Sequence, residues 1–95
     1  MINTKHLKEL GEVMTSIKEP KLMESFLKTI LTPKELDEVS SRVQILKLLK
    51  KGIPQREIAS KLGISIGTIS RGSREMQYGD QKIANLSWWG KSSLV

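Results

Sequence analysis

Apolar residues recur at steps of three and four along the first half of the chain, the spacing of one face of a helix. Leu7, Leu10, Val13, Met14 and Ile17 mark the first such face. The run "KEP" at Lys18 to Pro20 predicts its end, because proline has no amide to continue the ladder. Leu22, Met23, Phe26, Leu27, Ile30 and Leu31 repeat the pattern and predict a second helix. "TPKE" is a start signal for a third: Thr32 can cap, Pro33 suits the first helical position, and Glu35 stands where a capping box needs it. In that helix Leu36, Val39, Val43, Leu46 and Lys50 share one side, Ile45, Leu48 and Leu49 widen the apolar face, and Gly52 is placed to end it. No stretch reads convincingly as a strand, so the expected fold is all-α, a helical bundle with the third helix central. The stripes read as packing surface rather than as a ligand box.

The next segment, "PQREIASKLGISIGTISRGSREMQYG", changes the picture. Apolar residues fall at Ile58, Leu62, Ile64 and Ile69, a small residue at Ala59, and a glycine at Gly63. Two helices crossing steeply over a short turn need a small side chain where they touch, a turn residue tolerant of positive φ, and apolar residues that lock both onto the body. The pattern predicts a helix-turn-helix over about residues 54–76, with Ser65 capping the second, groove-entering helix. The candidate DNA-contacting residues are Gln55, Arg56, Ser65, Ile66, Gly67, Thr68, Ser70 and Ser73. Glycine costs a helix about 1 kcal/mol relative to alanine, so Gly67 and Gly72 need a reason. Small residues at Gly67, Thr68 and Ser70 let backbone approach base edges and phosphates. Few bidentate base contacts are available early in this helix, so readout is expected to lean on hydroxyls, water and DNA shape.

Charge supports a polyanionic partner. Residues 1–40 carry six lysines against seven acids, a balance of −1, whereas residues 41–95 carry ten Lys or Arg against three acids, a balance of +7. Phosphate backbones reward such a concentration through counterion release, although a solvated basic face kept for solubility has the same composition. The 95 residues are expected to form one domain, and so short a helical chain is expected to gain stability by sharing its core with a second subunit. Without cysteine, and with His6 alone, no metal site is expected. No apolar run approaches the roughly 20 residues that span a bilayer, and the mixed-charge N-terminus is unlike a signal peptide, so a cytoplasmic protein without membrane contact is expected. No nucleophile stands beside a base and no phosphate loop is present, which argues against an enzyme. A helical adaptor with an acidic protein partner is the rival from a different class.

"LTPKELDEVSSRVQILKLLKKG" followed by "QREIASKLGISIGTISRGS" resembles the tryptophan repressors of bacteria, above all in "LTP", the pair Arg42 and Val43, "QRE" and "TISRGS". The resemblance covers about Thr29 to Ser73. It implies an all-helical intertwined homodimer that binds double-stranded operator DNA and represses genes when L-tryptophan is bound as corepressor. By the same resemblance Arg42 and Arg71 flank the indole, and planar guanidinium groups suit that role. Thr29, Leu31 and Thr32 match positions contributed from the partner subunit to hold the amino and carboxylate ends, and Gly72 matches a glycine that leaves space beside the ring. Read from charge alone, Arg71 is a phosphate contact and Arg42 a surface ion-pair partner of Asp37 or Glu38. The connection into Gln55 is one residue shorter than usual in such repressors, and Pro54 replaces a hydroxyl cap. Glu75 stands where a small polar residue is common, and either pairs with the ligand's ammonium or obstructs the pocket. The segment "DQKIANLSWWGKSSLV" lacks the usual last helix, and its Trp88 and Trp89 are expected to pad a dimer seam. The alternative within the same fold is a helix-turn-helix regulator that does not bind tryptophan.

Overall fold

The computed structural model describes residues 1–91 and is helical throughout, with no strand among the described residues. The helices are α1 (Thr4–Ser16), α2 (Pro20–Ile30), α3 (Pro33–Lys50), α4 (Gln55–Leu62), α5 (Ile66–Tyr78), α6 (Gln81–Ala84) and α7 (Trp88–Lys91). The last four residues of the segment that carries the two tryptophans, 92–95, lie outside the described residues. Contacts divide the chain into two compact units, Met1–Asp37 and Glu38 onward, with α3 running through the division.

In the first unit the helix ends follow local chemistry. Asn3 caps α1 by accepting from the His6 amide at 3.0 Å, a signal that the apolar spacing did not register. Pro20 opens α2 at the position where its missing N–H costs nothing. The expected capping box is formed: the Glu35 amide donates to Thr32 Oγ1 at 3.1 Å, and the Thr32 amide donates to Glu35 Oε1 at 2.9 Å. Neither α1 nor α2 contains a buried residue. Leu7, Leu10 and Val13 of α1 and Leu22 and Ile30 of α2 remain 40–54% exposed, so the amphipathic stripes are real but uncovered.

The second unit holds a core of Ile45, Leu48, Ile58 and Ile69, with Leu49, Ile53, Ala59, Leu62 and Ile64 packed around it. Ile58 and Ile69 are fully buried, each contributing about 1.5–3 kcal/mol of transfer free energy. This divides the expected apolar face of α3 in two. Ile45 and Leu48 are buried, while Val39 and Val43 stay 40% and 37% exposed. The reason is tertiary: α4 and α5 supply Ile58 and Ile69 to the Ile45–Leu48 side, a choice that helical spacing alone does not make.

Glycines shape the two turns that aim α4 and α5. Gly52, at φ +81°, ends α3 with a paired motif in which the Gly52 amide donates to Leu49 O and the Ile53 amide to Leu48 O. Gly63, at φ +64°, ends α4, and the Ile64 amide donates to Ala59 O at 3.1 Å. Three residues, Gly63 to Ser65, then carry the chain into α5. Ser65 caps α5 as expected, accepting from the Thr68 amide at 3.3 Å. Pro54 precedes α4 and provides no side-chain cap.

Past α5 the chain departs from a single long last helix. Asp80 caps the short α6 by accepting from the Lys82 amide, and Lys50 Nζ donates to Asn85 Oδ1 at 3.3 Å, tying this segment to the end of α3. Trp89 is buried within the one chain, its indole N–H donating to Ile83 O at 2.9 Å, with the Trp88 ring edge-on at 5.3 Å. Trp88 is 48% exposed. The two rings expected to act together at a seam therefore differ: Trp89 needs no second chain for its burial, and Trp88 keeps an open face.

Candidate functional site

A cavity of about 600 Å³ lies within the second unit, lined by α3, the turn and α5. That volume falls within the range of roughly 300–1,000 Å³ usual for small-molecule sites. Arg42, Ile45 and Leu46 come from α3, and Arg71, Gly72 and Glu75 from one face of α5. Ser65, Gly67 and Thr68 close it at the start of α5. Positions 42, 45 and 46 fall on one side of α3 because they are three and four residues apart, and the same spacing aligns 68, 71, 72 and 75 on α5. Four of the seven expected ligand residues thus share one cavity: Arg42, Arg71, Gly72 and Glu75. So do Ser65, Gly67 and Thr68, which were expected to face DNA.

Thr29, Leu31 and Thr32 are not among the cavity's lining residues. They lie in the first unit at the junction of α2 and α3. The Thr29 hydroxyl donates to Ser25 O at 2.8 Å, Leu31 closes α2 with its amide on Leu27 O, and Thr32 is engaged in the capping box.

Ile45 and Leu46 line the cavity although apolar periodicity marks them only as packing residues. The available signal was their spacing from Arg42, which places all three on one face. Together they add apolar residues to a lining that also holds Arg42, Arg71 and Glu75.

The two glycines of α5 turn out to differ. A Cβ on Gly72 would stand 3.1 Å from Ile45 Cγ2 and 3.5 Å from Leu49 Cδ1, so glycine here lets α5 approach α3. A Cβ on Gly67 would meet nothing within 4 Å. The fold therefore accounts for Gly72, whereas nothing in the chain crowds Gly67.

The remaining expected DNA residues are spread over the α4–α5 pair. Arg56 and Ile66 are exposed, Ile66 at 49%. Thr68 shares a hydroxyl hydrogen bond of 2.9 Å with Ser65. Gln55 and Ser70 are half-buried and joined to each other, Ser70 Oγ donating to Gln55 Oε1 at 2.8 Å. Ser73 is half-buried and lines a second, smaller cavity of about 320 Å³ with Lys50, Met76 and Gln81.

Among the described residues no cluster of His, Cys, Asp or Glu could hold a metal ion, and no helix is long and apolar enough to cross a membrane.

Comparison with known proteins places the chain in a family of transcriptional regulators, not of enzymes. The family model described as Trp repressor protein matches residues 5–86, and the chain belongs to the Trp repressor family. Among its relatives is a Trp operon repressor homolog of Actinobacillus succinogenes, 45% identical over 75 residues that cover 78% of this chain and 71% of the relative. Homologs carrying the same description in Vibrio campbellii and Chlamydia caviae are 36% and 39% identical, over 77% and 75% of this chain and 74% and 71% of theirs. No solved structure matches the chain significantly. The family match stops at Leu86, short of Trp88 and Trp89.

Proposed function

We propose that this protein is a tryptophan-responsive transcriptional repressor that binds double-stranded operator DNA as an intertwined homodimer, with L-tryptophan as corepressor. In this reading α4 and α5 form a helix-turn-helix, and the single observation that carries the reading is the shared wall of the cavity. Ser65, Gly67 and Thr68 open the helix that would enter the major groove, and the same three residues line the cavity with Arg42 and Arg71. A ligand held there bears directly on the placement of α5. Arg42 and Arg71 stack on and pair with the ligand, Gly72 keeps α5 close to α3, and Glu75 meets the ammonium group. Gln55, Arg56, Ile66, Ser70 and Ser73 belong with the first-turn residues to the DNA-facing assembly, and the positive second half supplies long-range attraction.

The homodimer is supported by the uncovered stripes of α1 and α2, which contain 13 and 11 residues and bury none of them. Helices of that length are marginal in water unless an apolar face is packed. A second chain covering Leu7, Leu10, Leu22 and Ile30 answers that need, completes one domain from the two units, and allows Thr29, Leu31 and Thr32 to serve the partner's ligand. A soluble, cytoplasmic setting follows from access to DNA and a free amino acid.

Glu75 favours a second reading. Glu75 is among the residues lining the cavity, and if it obstructs rather than binds, the protein is a DNA-binding regulator of the same family that ignores tryptophan. Calorimetric titration with L-tryptophan separates the two: saturable one-per-chain binding supports the corepressor reading, and absence of heat and of competition at millimolar ligand supports the other. Retention on DNA at low salt and release at high salt distinguishes both from a protein-binding adaptor.

A further inference from the structure

We propose that Ser70 is a positioning residue that does not itself contact DNA but acts through Gln55, holding the Gln55 amide so that its N–H groups face the DNA backbone. The proposal rests on the DNA-binding reading above and goes beyond it by dividing roles between two residues of one face.

Hydroxyls within helices usually bond back to their own ladder. Thr15 bonds to Gly11 O, Ser16 to Val13 O and Thr29 to Ser25 O in this way, all exposed. Ser70 does not. Its hydroxyl crosses from the middle of α5 to the first residue of α4 and donates to Gln55 Oε1 at 2.8 Å in a half-buried setting. The hydroxyl hydrogen is thereby committed, and the bond ties the two helices at a point away from the Ile58–Ile69 core.

The consequence falls on Gln55. Once Oε1 is held, the planar amide is fixed and its Nε2, with two donor hydrogens, takes the opposite direction. Among the described residues no side-chain nitrogen or oxygen is buried without a partner and none accepts from Gln55 Nε2, so that group reaches the surface of this half-buried side chain. Free glutamine side chains carry several rotatable bonds whose ordering weakens binding. Fixing one in advance improves affinity by roughly three- to tenfold. A neutral donor aimed at a phosphate oxygen adds position without releasing a counterion, which separates its signature from that of Arg56.

The test is equilibrium operator binding by the full-length protein at saturating L-tryptophan, with thermal unfolding of each variant alongside. Ser70→Ala should lose about three- to tenfold in affinity and Gln55→Ala at least as much, while the double variant should lose no more than Gln55→Ala alone. The slope of log affinity against log salt should stay at the wild-type value in all three, and Ser70→Thr should restore binding. Gln55→Glu is the discriminating variant. Its carboxylate still accepts from Ser70, so the fold is kept, but it presents negative charge to phosphate, and binding should fall below that of Gln55→Ala. Losses that multiply in the double variant, or a Gln55→Glu protein that binds like wild type, would overturn the proposal. Failure of the wild-type protein to bind DNA would instead bring down the parent reading and this one with it.

Discussion

Replacing Gly72 by alanine should destabilise the protein, whereas the same replacement at Gly67, five residues earlier on the same helix, should stabilise it. Both positions gain about 0.5–1 kcal/mol from the better helix former. At Gly67 nothing opposes that gain, because a methyl group there lies more than 4 Å from any neighbour outside its own helix backbone. At Gly72 the methyl stands 3.1 Å from Ile45 Cγ2, short of the roughly 3.5–4.0 Å at which carbon atoms rest. Ile45 is 3% exposed and packed into the cluster with Leu48, Ile58 and Ile69, so it cannot retreat without disturbing the core. Overpacking of this kind costs about 1–3 kcal/mol, which leaves Gly72→Ala destabilised by roughly 1 kcal/mol after the helical gain. For a domain of this size about 1 kcal/mol moves Tm by roughly 4–8 °C, so the two melting curves should separate in opposite directions from wild type. They must be compared at one protein concentration if the fold is a dimer. Gly72→Ala should also weaken ligand binding, since α5 is pushed from α3. A Gly72→Ala protein that melts as high as Gly67→Ala would refute the close α3–α5 approach and the cavity built on it.

Further outcomes follow from the same geometry. Arg71→Lys should lose most of the tryptophan dependence of operator binding in mobility-shift assays while remaining folded, because an ammonium group keeps the charge but lacks the planar stacking surface; a wild-type response would make Arg71 a simple phosphate contact. Glu75→Gln should abolish a preference, about tenfold or more by calorimetry, for L-tryptophan over indole-3-propionate, which has no amine to meet the carboxylate; an unchanged preference would remove Glu75 from the ammonium site. Trp89→Phe should lower stability by about 1–2 kcal/mol in urea unfolding, since it leaves Ile83 O without its donor and thins a buried contact; no change would mean that water replaces the indole N–H.

Features set by neighbours in the chain were legible before any coordinates. The Thr32–Glu35 capping box, the Ser65 cap and the left-handed Gly63 each depend on residues within four positions, and each occurs as the local pattern requires. Features set by packing were not. The stripe through Val39 and Val43 is as helical as the one through Ile45 and Leu48, and only the arrival of Ile58 and Ile69 decides which is buried. Gly67 and Gly72 look alike in sequence, and their difference depends on where α3 lies. The Ser70–Gln55 bond joins residues 15 apart, at a distance that no helical period encodes. Resemblance to a family brought Arg42 and Arg71 together on paper, and the cavity gathers both, adding the lining residues Ile45 and Leu46.

Reciprocal coupling between tryptophan and DNA is the most direct test of a cavity that shares its wall with α5. L-tryptophan affinity is measured by calorimetry with the protein free and with it saturated by operator DNA selected from genomic fragments, and operator affinity is measured with and without saturating tryptophan. A ligand shifts the equilibrium only through its differential affinity for the DNA-competent arrangement, so the two ratios must agree. The account predicts a common factor in the range of about 5- to 150-fold, in the direction of mutual tightening. Tryptophan that binds with the same affinity whether or not operator DNA is present would contradict it.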